Sequence, residues 1–377
     1  MERSPALRLC YAAVHVVMRS EYRQLGHTLD KPGDPQVIAE HIDAAATMRL
    51  RTTMDQHGLG VAEAMDTAQR FHLGWPGARQ LIEACGALRL TNGFCAGAGT
   101  DQRAMIRSKN DLVSAVVEQC AFIDAHGGVP VILPMPWLCA QGASENDFVD
   151  VYAGIVAHVR GPVFVHWLGA MFLPALRGYF PGRSFQRVMA LDPAVVRGCK
   201  LSLLDADFEV RTRAELLPRE QIVLTGDDFH FGRMILGSGG APTAWTTIGS
   251  RRVALGDWSH ALLGILDAIA LPSQQALQCL AGRDAAGFLR IMDRCEELGR
   301  HVFEAPTQHY KAGLAFLAWL NGLQDEFLLV NGEERSRDRA HYERCAGLAR
   351  LAGAVLDPVA FERRLLAFAQ APWPPPD

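Results

Sequence analysis

The sequence predicts a (β/α)8 TIM barrel with a C-terminal helical extension. Two observations carry that reading. Eight short apolar segments alternate with amphipathic helical ones over the first two thirds of the chain, and polar or ionisable residues gather where those segments end. Beyond Gly256 the alternation stops and only helical spacing remains.

The strand segments run in order. Leu7–Met18 carries His15 near its end, and Gly58–Met65 follows a helix over Asp43–His57. Ala87–Cys95 follows a helix over Trp75–Gly86. Gly128–Pro134 follows one over Asn110–His126, which carries apolar residues at Leu112, Val116, Val117, Cys120 and Phe122. Gly161–Leu168 follows Asn146–Arg160 and contains His166. A short helix over Ser184–Leu191 leads to the sixth strand, Val195–Ser202, and Glu220–Thr225 is the seventh. The eighth is expected at Ala241–Thr247, after a short helix over Phe229–Leu236 and the Gly237–Gly240 loop. The extension reads as helices over Trp258–Ile269, Ser273–Leu280, Ala285–Val302, His309–Leu323 and Asp338–Leu351. The expected division is a barrel over 1–255, a helical extension over 256–370 and an extended Pro-rich tail over 371–377.

Composition narrows the class. Net charge is −4 and there is no long basic run, so nucleic acid is not expected as a partner. No apolar run reaches the roughly 18 residues of a membrane span, and the N-terminus lacks the apolar core of a leader. The nine cysteines stand singly without a CxxC, which fits reduced thiols and a cytoplasmic setting.

In a parallel barrel the chemistry lies at the C-terminal ends of the strands. Lys200 ends the sixth, and it is the only lysine between Lys109 and Lys311. An amine aimed into a barrel mouth is partly desolvated, which lowers its pKa and makes it a nucleophile for carbonyls. His166 ends the fifth strand beside it, and imidazole is suited to moving protons near neutral pH. His15, Glu63, Asp66 and Thr67 end the first two strands. Asp227, Asp228 and His230 follow the seventh, where one aspartate is expected to cap the next helix. Thr243, Trp245 and Thr247 alternate along the eighth segment and share a face.

Four of these stretches together resemble the dihydrodipicolinate synthase and N-acetylneuraminate lyase superfamily of class I aldolases. Gly198-Cys199-Lys200 is similar to its Gly-x-Lys strand, and Thr225-Gly226-Asp227-Asp228 to its Gly-Asp-Asp turn. Gly237-Ser238-Gly239-Gly240-Ala241-Pro242-Thr243 is similar to its approach to strand eight. Gln308-His309-Tyr310-Lys311-Ala312-Gly313-Leu314 resembles the start of a helix in its extension. The resemblance implies a Schiff-base lysine at Lys200, a lyase or aldolase reaction on a small carbonyl compound, no cofactor and a homo-oligomer. The N-terminal half departs from it. Where the superfamily has a Gly-Thr-Thr-Gly-Glu carboxylate loop, this chain reads Ala62-Glu63-Ala64-Met65-Asp66-Thr67-Ala68, and acids there would repel a carboxylate. The tyrosine expected after strand five falls on His166-Trp167-Leu168-Gly169. The expected substrate is therefore an oxo-sugar or other polyhydroxylated carbonyl as readily as a keto acid. Lys200 and His166 are the expected catalytic pair. His15, Glu63, Asp66, Thr67, Asp227, His230, Thr243 and Trp245 are the expected substrate contacts.

Two further classes compete. His15, Glu63, Asp66, His166 and His230 are residue types that hold Zn²⁺ or Mn²⁺, although no HxH or HExxH spacing supports a metal centre. A non-catalytic barrel binding a small ligand is the third.

Overall fold

The computed structural model describes residues 6–373. Eight parallel strands close a barrel: β1 (Cys10–Ala13), β2 (Gly60–Glu63), β3 (Phe94–Ala98), β4 (Val129–Ile132), β5 (Val163–Leu168), β6 (Val196–Ser202), β7 (Ile222–Thr225) and β10 (His260–Leu263). Closure is made by β1, whose Cys10 pairs with Ala261 of β10 while Tyr11 pairs with Gly60 of β2. Helices sit between the strands and cover the outside. Their starts are written in the sequence as side-chain caps: Asp43, Ser108, Ser144 and Asp205 each accept a backbone N–H from the first helical turn that follows.

Strand alternation divides the apolar residues into two cores. Ala12, Val61, Ala96, Val165, Leu201, Val223 and Leu263 point outward against the helices. Leu9, Tyr11, Val131, Phe164, Leu224 and Leu262 fill the interior. Lys200 pairs with His166 of β5 and Leu224 of β7, so it belongs to the inward set.

The eighth barrel strand is β10, beyond the expected boundary at residue 255, and Ala241–Thr247 is not in the barrel. Residues Ala244–Ile248 and Arg251–Leu255 form an antiparallel hairpin, β8 and β9, around the two-residue turn Gly249-Ser250. Gly249 takes a positive φ of 58°, the backbone such a turn needs. Ile248, Val253 and Leu255 pack on Leu9, Val129 and Ile222 at the strand starts, so the hairpin plugs the N-terminal end of the barrel. The helix expected over Trp258–Ile269 is instead strand β10 and a short 3-10 turn. A four-residue apolar run carries no period that separates strand from helix. His260 locks this corner: the Leu9 N–H donates to Nδ1 at 2.8 Å, and Nε2 lies 3.0 Å from the Ala254 carbonyl.

A helix over Ala206–Leu216, unread in the sequence, joins β6 to β7. The extension contains helices Ala270–Ala281, Ala285–Val302, Lys311–Leu320, Arg339–Ala352 and Pro358–Gln370. The expected tail is docked as far as it is described. Trp373 stacks on Phe327 with ring centroids 5.4 Å apart and donates its indole N–H to the Arg337 carbonyl. Residues 374–377 lie outside the described residues.

Candidate active site

Lys200 projects into the C-terminal half of the barrel and is 7% exposed. Space for it is made by Gly226. A Cβ there would meet Ser202 Oγ at 2.3 Å, the Leu201 carbonyl at 2.7 Å and Lys200 Cε at 3.1 Å. Burial pushes the Lys200 amine below its ordinary pKa, against the opposing pull of the Asp228 and Asp66 carboxylates. Asp228 responds in the opposite sense. Burial raises its carboxyl to about 7, although it accepts the Ile265 N–H at 3.0 Å and faces Lys200. The result is a buried amine and a buried carboxyl whose proton affinities have been drawn together.

His166 is fully enclosed, with Nε2 3.2 Å from Ser202 Oγ and Nδ1 without a hydrogen-bond partner among the described residues. Burial, and after it the Lys200 charge, hold the imidazole well below its usual pKa, so it is neutral at pH 7. It faces the site as a neutral imidazole with one ring nitrogen unpartnered.

The loop after β2 contributes Asp66 and Thr67. Ala64 adopts a φ of 49°, and the chain then makes one 3-10 turn over Asp66–Ala68. Asp66 Oδ2 lies 3.5 Å from Lys311 Nζ and makes no hydrogen bond. Thr67 Oγ1 lies 2.8 Å from the hydroxyl of Tyr310. Tyr310 enters the mouth from the extension, stacked on Phe303 with centroids 4.2 Å apart. Burial, with the Asp66 charge adding to it, holds its phenol well above the ordinary value, so it stays protonated. Lys311 follows it, buried, donating to the Gln308 carbonyl at 2.6 Å and 3.4 Å from Glu333. Burial alone would lower this amine, but Asp66 and Glu333 outweigh it and the pKa is raised. Lys311 is thus a fixed cation, whereas Lys200 is the one made easy to deprotonate.

Lys200, His166, Asp66, Thr67 and Asp228 are brought to this end of the barrel; six other residues expected at the site are engaged elsewhere. Glu63 points outward, where Arg51 grips both carboxylate oxygens at 2.8 Å; one residue of strand alternation separates it from the interior. His15 is saturated by Asp267 at Nδ1 (2.5 Å) and Gln324 at Nε2 (2.8 Å), which clamps β1 to the extension. Asp227 caps the turn that follows, accepting the Phe229 N–H and holding His230 Nδ1 at 2.9 Å. The His230 side chain is 44% exposed. Thr243 is exposed, and Trp245 lies under the Arg252 guanidinium, both on the hairpin at the opposite end of the barrel. With these side chains dispersed, His15, Glu63, Asp66, His166 and His230 form no common ligand set.

Tyr310 was missed by the sequence reading. Its one signal is its place directly before Lys311 in a stretch that resembles a superfamily motif.

Fold and site together define a (β/α)8 barrel with a buried, inward lysine on strand six and a helical extension reaching over its mouth. Solved structures share that fold across nearly their whole length. Dihydrodipicolinate synthase from Aquifex aeolicus superposes with a TM-score of 0.64 at 12% identity, over 93% of this chain and 99% of that one. N-acetylneuraminate lyase from Fusobacterium nucleatum, complexed with pyruvate, gives 0.63 at 13% identity over 93% and 98%. Dihydrodipicolinate synthase from Oceanobacillus iheyensis gives 0.62 at 11% identity over 92% and 97%. Identities this low mark a divergent branch of that fold. The chain belongs to the family described as "Protein of unknown function (DUF993)", which matches residues 1–371. No curated protein matches the sequence. Among the described residues no helix is long and apolar enough to cross a membrane.

Proposed function

We propose that the protein is a lysine-dependent lyase or aldolase acting on a small hydroxylated carbonyl compound. The observation that carries the reading is the inward, buried Lys200 of strand six, its amine lowered by burial and within electrostatic reach of the Asp228 carboxyl, which burial raises. Asp228 takes the ammonium proton, and the free amine adds to the substrate carbonyl. The carbonyl oxygen, protonated, leaves as water, and the resulting iminium accepts the electron pair of the adjacent C–C or C–H bond. Tyr310, kept protonated and oriented by Thr67, is the hydroxyl placed to exchange a proton with the reacting oxygen.

The substrate class follows from the polar atoms left under-satisfied. His166 Nδ1 is buried with no hydrogen-bond partner among the described residues, and Asp66 Oδ2 has only the 3.5 Å ion pair with Lys311, so both are open to a ligand. Carboxylate oxygen and neutral imidazole suit substrate hydroxyls. Lys311, the other buried amine here, is already paired with Asp66 and Glu333 and is not free to receive a carboxylate. A polyhydroxylated ketone or oxo-sugar fits better than a keto acid.

The test is borohydride trapping with pyruvate, oxo-sugars and simple aldehydes, read by intact and peptide mass. An adduct on Lys200 with a hydroxylated carbonyl, absent from Lys200→Ala, is expected. No adduct from any member of a broad panel would remove the imine mechanism.

A further inference from the structure

Away from the barrel mouth, the extension brings two histidines and a cysteine together at a helix junction that the imine chemistry does not use. His301 lies in the last turn of helix Ala285–Val302. His341 and Cys345 lie one turn apart on helix Arg339–Ala352, and four-residue spacing puts them on one face. One ligating atom from each of the three lies within 4.8 Å of the other two. The imidazoles stack, with centroids 4.4 Å apart and planes at 28°.

Glu304 orients both rings. Its Oε1 is 2.8 Å from His341 Nδ1 and its Oε2 3.3 Å from His301 Nδ1. With the Nδ1 atoms occupied, each ring has only Nε2 left to offer. His341 Nε2 is buried and has no hydrogen-bond partner among the described residues, although the residue is only 6% exposed. A buried polar atom left without a partner asks for an explanation. His301 Nε2 has a single contact, the His341 carbonyl at 3.0 Å, which it can exchange for a stronger one. Cys345 is fully buried, its sulfur close to Gly313 just after Lys311.

We propose that His301, His341 and Cys345 form a binding site for a divalent cation of borderline softness, zinc being the best match, with Glu304 as the carboxylate that fixes both rings. Two imidazoles and one thiolate suit that ion, at distances of about 2.0–2.1 Å for nitrogen and 2.3 Å for sulfur. Side-chain rotation brings the ring nitrogens and the thiol to those distances. Binding displaces the thiol proton to solvent, leaving a metal-bound thiolate. Solvent reaches the site past His301, whose side chain is 16% exposed, and water supplies the fourth position. The carboxylate–imidazole–metal relay is the arrangement that sets ligand tautomers in such centres. The site also ties two helices of the extension to the segment that carries Tyr310. Arg337 already anchors that segment by donating to the Glu304, Ala305 and Pro306 carbonyls.

The experiment is titration of chelator-treated full-length protein with Co²⁺, followed by Zn²⁺. Wild type is expected to develop a thiolate-to-cobalt charge-transfer band that saturates at one equivalent and is abolished by zinc. Cys345→Ser should lose the band, and His341→Gln should lose it with circular dichroism unchanged. Glu304→Gln should weaken binding about 10- to 100-fold. Lys200→Ala should bind as wild type does, which separates this site from the imine site. Absence of the band in wild type, or a band of equal strength in a folded Cys345→Ser or His341→Gln protein, would overturn the proposal.

Discussion

Thr67 Oγ1 and Tyr310 Oη stand 2.8 Å apart, although 243 residues separate them in the chain. The contact joins the loop after β2 to the extension directly over the lysine chamber. Gly264 keeps the place open, since a Cβ there would come within 3.0 Å of Tyr310 Cε2 and 3.3 Å of Thr67 Oγ1.

Removing the phenol tests that contact. Tyr310→Phe keeps the stack on Phe303 and loses only the hydroxyl. A fall in kcat of about 10²- to 10⁴-fold is expected if the hydroxyl moves a proton in the rate-determining step. The Lys200 adduct should still form. Thr67→Val should show a smaller loss of the same kind, and equal activity in both variants and wild type would count against the role.

The pH dependence of imine formation reports Asp228. Below about 7 its carboxyl is protonated and cannot take the Lys200 proton; above that it can. Deprotonation of Lys200, whose own pKa is lowered, acts in the same direction, so the trapping rate should rise with pH through this range. Asp228→Asn removes the acceptor and the negative charge that supports the ammonium. The limb near 7 should disappear and the amine titrate at lower pH. An unshifted profile would show that the two groups do not act on one another.

Glu63 supplies a stability prediction that leaves the chemistry alone. Glu63→Ala strands the fully buried Arg51 guanidinium, at a cost of about 3–5 kcal/mol in denaturant unfolding. Arg51→Met combined with Glu63→Leu should recover most of that loss, because an apolar pair leaves no buried charge. A mild effect from the single substitution would mean that water reaches Arg51.

The hairpin separates position from function. Trp245→Ala and Thr243→Ala should leave trapping at Lys200 unchanged, since both residues sit beyond the opposite end of the barrel. Ile248→Ala, by contrast, empties a buried site in the plug and should destabilise the fold by about 2–5 kcal/mol. Loss of trapping without loss of stability in Trp245→Ala would contradict this placement.

What the sequence determined by itself was the alternation of seven barrel strands with helices, and Lys200 as the residue to watch. Both are local properties: the strand runs are apolar and short, the helix starts carry capping side chains, and a lone lysine ending a strand stands out. The hairpin has a local signal too, in the Gly249-Ser250 turn between alternating residues, although Ala241–Thr247 taken alone reads equally well as an eighth barrel strand. Tertiary structure alone decided which polar strand-end residues share the chamber. Glu63 and Asp66 are three residues apart, yet one is committed to Arg51 outside the barrel and the other faces two lysines. His15 is consumed by Asp267 and Gln324, partners more than 250 residues away in sequence. Tyr310 reaches the chamber only because the extension folds back over it. Side-chain period along a strand says which face a residue takes, but the partner waiting on that face is set by distant segments, and burial then fixes the charge each group carries.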